Sequence, residues 1–159
     1  MLNNNDIHIH RVNPADPLPD ISSLIDESLS EGFRFLQRLE DDYESESNRF
    51  SLEGEGLWYI MNSSSDVVAI GGINRQKSAG DMSTGRLRRF YVRSADRGKG
   101  VGAILLAHIL SLSADHFHRI VLFTDTVKAA HFYEKHGFLK TDRYRDYTHF
   151  KELMTQRIL

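Results

Sequence analysis

At 159 residues, the chain is long enough to bury one proper core and too short to divide comfortably into two, so residues 1–159 read as a single domain. A hydrophobic share of 40%, a charged share of 26% and a net charge of −2 are ordinary for a soluble globular protein and give no general affinity for polyanions. The absence of cysteine excludes disulfides, thiolate metal sites and a cysteine nucleophile.

No apolar run approaches the roughly 20 residues that span a bilayer. Met1 to Asp6 lack a basic region followed by an apolar one, so no secretory signal is read and a cytoplasmic location is the default. Ile7, Ile9 and Val12 form a short, roughly alternating run with His8 and His10 on the opposite face, which predicts a strand. Two histidines at that spacing lack an evident third metal ligand, so no metal is expected. Pro14, Pro17 and Pro19 end the strand. Apolar residues at 18, 21, 24, 25 and 29 then keep helical spacing to Ser30.

A second helix is predicted from Phe33 to Tyr43, separated from the first by Gly32. The acidic run at 40–46 is read as a solvated helix end, or as a patch that steers a cationic amine. Leu57–Met61 is a strand by residue type, Asn62–Asp66 a hairpin turn, and Val67–Asn74 the returning strand. Gly71 and Gly72 inside that strand point to a bulge or to close approach by another backbone. A polar loop, 77–84, leads to the strand Leu87–Val92.

After this strand comes Arg93-Ser94-Ala95-Asp96-Arg97-Gly98-Lys99-Gly100-Val101-Gly102-Ala103. It reads as an elbow, a basic glycine loop and the first turn of a helix running to Ala114. The glycines allow a tight turn and remove Cβ atoms that would block a ligand. The helix start leaves N–H groups without partners and carries roughly +0.5 charge, a combination suited to a diphosphate. Arg86, Arg88, Arg89, Arg93, Arg97 and Lys99 face a single acid, Asp96, in this segment. A Walker A loop is excluded, because position 93 is Arg and position 100 is Gly. A dinucleotide fingerprint needs its first Gly at the strand end, and four residues intervene.

Further on, Ile120–Phe123 is a fully apolar strand, and Val127–His136 a helix closed by Gly137. Phe138-Leu139 opens a strand, and Tyr147–Leu153 gives the last one.

Arg97-Gly98-Lys99-Gly100-Val101-Gly102 resembles the Arg/Gln-x-x-Gly-x-Gly/Ala coenzyme A loop of the GNAT superfamily of acyl-CoA-dependent N-acyltransferases. Ala129-Ala130-His131-Phe132-Tyr133-Glu134-Lys135-His136-Gly137-Phe138 resembles the second signature of that family, about 30 residues downstream. The resemblance covers about residues 57–153, and the N-terminal third matches loosely. It implies an α/β (α+β) fold: a mixed, mostly antiparallel sheet of about seven strands, flanked by about four helices, with a V-shaped splay between strands 4 and 5.

The implied activity is acetyl transfer from acetyl-CoA, without a metal, to a primary amine by direct attack. The acceptor is a small molecule or a peptide, nucleic acid and membrane are not expected as partners, and a homodimer is left open. Carried over by position, the coenzyme contacts are Phe90, Tyr91, Val92, Arg97, Gly98, Lys99, Gly100, Val101, Gly102, Ala103, Thr126 and Ala129. Tyr133 is the implied proton donor to the departing thiolate.

Two departures stand out. The glutamate that many family members carry six residues before Val92 is Arg86, which stays protonated and cannot accept a proton. Glu53, Glu55, Asp81, His131 and His149 are the candidate bases, and His149 has a suitable ordinary pKa of about 6.5. The usual asparagine seven residues before the tyrosine is Thr126. Arg86 motivates a rival, a catalytically silent acyl-CoA-binding regulator. A nucleic-acid binder using the 86–99 segment with Phe90 and Tyr91 for stacking is the other.

Overall fold

Each β-rich segment of the sequence enters one sheet. The computed structural model describes residues 7–76 and 83–153. Among these, the elements are β1 (His8–Arg11), α1 (Ser22–Ser30), α2 (Phe35–Glu44), β2 (Gly56–Met61), β3 (Val67–Arg75), β4 (Thr84–Val92), α3 (Val101–Ser113), β5 (Arg119–Leu122), α4 (Val127–Lys135), β6 (Leu139–Lys140) and β7 (His149–Glu152). The strand order is β1-β2-β3-β4-β5-β7-β6. Every pairing is antiparallel except β4 with β5. The expected mixed sheet of seven strands and four helices is therefore present.

The sheet carries helices on both faces. Leu24, Ile25, Leu36, Leu39 and Tyr43 of α1 and α2 close over one face together with Phe50, Leu57, Ile70 and Tyr91. Val101, Leu105, Leu106 and Ile109 of α3 and Tyr133 of α4 close over the other, with Ile73, Leu87, Ile120 and Phe138. Leu87 and Tyr91 lie four apart on β4, where alternation alone would put them on one face, yet they belong to opposite faces because a bulge between them adds a residue.

The first helix starts at Ser22, not at Leu18 as its spacing predicts. Prolines at 17 and 19 stiffen the approach, and the Asp20 carboxylate accepts the Ser22 N–H at 3.0 Å. Leu18 still packs against the core beneath α1. His8 and His10 are exposed, as the alternation predicts, and His10 stacks on Tyr59.

Two features of β4 position the site. Its ladder with β5 covers only Thr84, Gly85 and Arg86, opposite Arg119, Ile120 and Val121. Beyond Arg86 that edge of β4 has no strand partner among the described residues, which is the splay expected between the fourth and fifth strands. The second feature is a bulge against β3, where the register shifts between Ile70 and Gly72. Arg89 there has a φ of 59°. Gly71 and Gly72 were expected to mark a bulge or a close approach, and both occur. A Cβ on Gly71 would lie 2.7 Å from the Phe90 ring, and one on Gly72 would lie 2.6 Å from the Phe50 ring.

Candidate active site

The site is built where β4 ends and α3 begins. Arg93 donates its N–H to the Val68 carbonyl at 2.8 Å. Alternation along an antiparallel ladder then turns the Val92 N–H and C=O toward the edge that β5 leaves open. The chain next makes a short turn, Ser94–Asp96, and passes through Gly98 at φ 75° and Gly100 at φ 85°. These are left-handed values that a side chain tolerates poorly. A Cβ built on either glycine meets nothing within 4 Å, so the loop encloses open space.

Gly100 caps α3, and the first intrahelical bond recorded at that end is Ile104 N–H to the Gly100 carbonyl, 3.0 Å. Among the described residues, no backbone acceptor meets the N–H groups of Gly98 to Ala103. Several unpaired donors thus gather at the positive end of a 13-residue helix. This donor set fits a diphosphate.

The side chains at the loop differ from the sequence expectation. The Arg97 guanidinium does not face the glycine loop. It donates two hydrogen bonds, 2.8 and 2.7 Å, to the Glu31 carboxylate of α1. Its Nε donates to the Val92 carbonyl at 2.9 Å, and the group lies over the Tyr91 ring. That pairing holds Glu31 well below the usual carboxylate range, at about 2.

Most of the neighbouring cations are likewise committed. Arg86 pairs with Asp146, Arg89 with Asp42, and Arg93 with Asp66 and Asp96. Among the described residues, Lys99 and Arg88 are exposed and have no ion pair. What the loop offers an anion is therefore chiefly backbone amides, with the exposed Lys99 beside them.

The Tyr91 side chain lies on the α1–α2 face of the sheet. Its hydroxyl is bound by the carboxylates of Glu27, at 2.7 Å, and Glu31. Ser94 joins the same knot by donating its N–H to Glu27 at 2.7 Å. These acids lie 60 or more residues upstream of their partners, and no spacing rule in the sequence announces them.

Phe90 turns to the other face, where its ring centroid is 6.1 Å from that of Tyr133 and 5.8 Å from that of Phe132. Tyr133 is 8% exposed. Phe138 packs edge-on against it at 5.7 Å, brought there by Gly137 at φ 92° and by a bond from the Phe138 N–H to the Tyr133 carbonyl. Burial raises the Tyr133 phenol above its ordinary value of 10.0. No described residue hydrogen-bonds its hydroxyl, so the proton remains in place and uncommitted.

Helix α4 begins at Thr126, whose Oγ1 accepts the Ala129 N–H at 3.2 Å. That cap uses one lone pair and leaves the Thr126 O–H free to donate. β7 fastens the helix from the side. His149, the candidate base on this strand, is 1% exposed. The Thr124 N–H donates to Thr148 Oγ1 at 3.0 Å. Thr148 Oγ1 lies 2.9 Å from His149 Nδ1, and His149 Nε2 lies 2.9 Å from the Glu134 carboxylate. A neutral imidazole satisfies the whole chain with its proton on Nε2, donating to Glu134, and Nδ1 accepting from Thr148. Lys151 adds a bond to the His136 carbonyl at 2.7 Å, at the C-terminal end of α4.

The other candidate bases are elsewhere or engaged. The Glu55 carboxylate is buried and accepts from Leu52 N–H, Asn74 and Arg75 N–H. Glu53 and His131 are exposed. Asp81 lies outside the described residues. Arg86 donates from Nε to Gln76 at 2.7 Å and reaches the Asp146 carbonyl. No cluster of three or more metal-ligating side chains occurs among the described residues, and no helix there is long and apolar enough to cross a membrane.

A bulged β4 that splays from a parallel β5 and delivers a glycine loop to a helix start defines a class of acyl-CoA-dependent transferases. The profile of the GNAT acetyltransferase domain matches residues 54–140, and the chain belongs to that family. An acetyltransferase structure from Exiguobacterium sp. 255-15 is similar at 31% identity, covering 92% of this chain and 93% of that one, with a TM-score of 0.80. The acetyltransferase of Streptococcus agalactiae 2603 shares 21% identity over 93% and 99% of the two chains, at a TM-score of 0.73. A GNAT-family acetyltransferase of Streptococcus pneumoniae shares 18% over 94% and 100%, at 0.71. The last two likenesses concern the fold alone. No curated protein matches the sequence significantly.

Proposed function

We propose that the protein is an N-acetyltransferase that takes acetyl-CoA as donor and transfers the acetyl group directly to a primary amine. The observation that carries this proposal is the cradle at the start of α3. Gly98 and Gly100 hold left-handed backbone around open space, at the end of a β4 edge that β5 has left free. The N–H groups of residues 98–103, with Lys99, would hold the diphosphate. Val92 would pair with the pantetheine arm as an added strand does. Thr126 and Ala129 at the start of α4 complete the wall.

When bound, the thioester supplies an activated acyl carbon. A backbone N–H at the end of β4 is positioned to stabilise negative charge developing on the carbonyl oxygen. The amine forms the C–N bond as the C–S bond breaks. Tyr133 gives its proton to the departing sulfur, and the proton that the nitrogen releases restores the Tyr133 phenol through solvent, so amide and thiol are the only products. Burial raises a thiol and a phenol in the same direction, so Tyr133 can remain a competent donor although its pKa is elevated.

A free amine is the harder requirement, since an ordinary ammonium near pKa 10.4 leaves fewer than about one molecule in 10³ neutral at pH 7. None of the described candidate bases offers an uncommitted group beside Tyr133. Both nitrogens of His149 are engaged, and the role we give it is to orient α4. Desolvation, together with the cations on β4, would favour the neutral amine.

The deciding test is calorimetry with acetyl-CoA, followed by thiol release on an amine panel. Binding is expected, and Lys99→Glu should weaken it without disturbing an exposed, unpaired position. Gly100→Glu should abolish it by placing bulk and charge in the cradle, with added backbone strain. A folded protein that ignores acetyl-CoA at about millimolar concentration defeats the proposal. Binding without thiol release would favour the silent regulator that Arg86 suggests.

A further inference from the structure

We propose that the acceptor amine carries an anionic group, a carboxylate or a phosphate, and that Arg88 holds it. This rests on the acetyltransferase proposal and names the substrate class for the same site.

The groups on the two faces of the opened sheet differ sharply. Phe90 and Tyr133 occupy one face with α3 and α4. On the other face, beneath α2, Arg86 and Arg88 are two residues apart on β4 and share a side of the strand. The bulge at Arg89 adds a third guanidinium, which reaches Asp42 of α2 at 3.6 Å. Arg38 sits one helical turn before Asp42 and so flanks the same contact. Both Arg38 and Arg88 act on Arg89 as unfavourable like charges.

Four guanidinium groups therefore meet two carboxylates, Asp42 and Asp146, an excess of two positive charges. Arg38 and Arg88 are exposed and have no ion pair among the described residues. Arg88 is also the first of these residues beyond Arg86, the last β4 residue paired with β5. It stands where the splay begins, on the face of β4 opposite Tyr133.

The acidic run on α2 does not offset this cluster. Asp42 is committed to Arg89, and Asp41 accepts from Gln37. Glu40 and Glu44 line a separate cavity with Pro17, Leu18 and Arg49. A polycation would meet like charge at the opening, whereas a guanidinium fork matches a carboxylate or phosphate in shape and charge. The excess charge also disfavours the ammonium form of the nearby amine.

The experiment is calorimetry on CoA-loaded protein with ω-amino acids, their primary amides, the matching diamines and aminoalkyl phosphates. The acids or the phosphates should bind at least about tenfold tighter than the amides and diamines, equivalent to about 1.4 kcal/mol. Arg88→Ala should erase that difference while leaving the CoA affinity unchanged, and Arg88→Lys should restore part of it. Equal or reversed ordering, including no binding by any amine, overturns the inference while the acetyltransferase proposal stands. Retained preference in Arg88→Ala overturns it too. Failure to bind CoA removes both. Whether acids or phosphates lead identifies the anion.

Discussion

Arg97 is tied to Glu31 by two parallel hydrogen bonds, 2.7 and 2.8 Å long, and this pair fastens the glycine loop to α1. The carboxylate is held at about 2, against an ordinary 4.5. A depressed pKa adds stability that is fully present above the ordinary value and is lost as pH falls toward the folded one. The contribution of Glu31 should thus decline between about pH 4.5 and pH 2. Glu31→Gln should lower the melting temperature at pH 7 and converge with wild type near pH 2. A constant difference across that range, read by thermal denaturation, would show that the pair contributes no linked stability. Because both groups are partly exposed, the effect at pH 7 should be modest and reduced by salt.

Gly71 decides where Phe90 sits. Its missing Cβ leaves room for a ring atom that would otherwise be 2.7 Å away, and Phe90 in turn packs against Tyr133. Gly71→Ala should destabilise the fold by about 1–3 kcal/mol, as overpacking does. It should also lower kcat more than it weakens CoA binding, because the loop at 98–102 is untouched. Denaturant titration and calorimetry on the same variant separate the two effects.

How much of this was legible beforehand follows the range of the interactions. The seven strands, four helices and the cap at Gly137 came from spacing and residue type within short windows. Gly98, Gly100 and the start of α3 were equally local, and the structure opens them as expected. The Arg97 side chain was expected at the coenzyme loop, and its pairing with Glu31 was not legible because that partner lies far upstream and meets it across the fold. His149 was read as a candidate base from residue type alone, and its burial against Glu134, fifteen residues upstream on α4, was not legible. The basic segment looked uniformly available for an anion until Asp42, Asp66 and Asp146 were placed beside it. Composition can count charges; only the fold shows which are spent.

His149 offers a clean separation of roles. As a base it would impose a rise in rate through about pH 6.5 that disappears on substitution. As the link between Thr148 and Glu134, it should set stability and the angle of α4. We expect His149→Gln to reduce stability by about 1–3 kcal/mol, the cost of leaving buried partners unsatisfied. The pH profile of kcat/KM should keep its shape while its height falls. Disappearance of a limb near pH 6.5 would instead assign proton abstraction to this residue.

Tyr133 carries the most direct prediction for the chemical step. Its ring packs among Phe90, Phe132 and Phe138, and removing the hydroxyl oxygen leaves that packing intact. Tyr133→Phe should therefore keep the melting temperature and the acetyl-CoA affinity while kcat falls by about 10²–10⁴, the usual range for a lost general acid. The wild-type pH profile supplies the second check. Because burial raises the phenol above 10.0, it stays protonated as pH passes through 10, and kcat should show no descending limb there from tyrosinate formation. A donor with an ordinary pKa would lose its proton and its activity in that range. Acyl donors with a better leaving group offer a third check: thioesters of a more acidic thiol need less protonation, so Tyr133→Phe should impair them less.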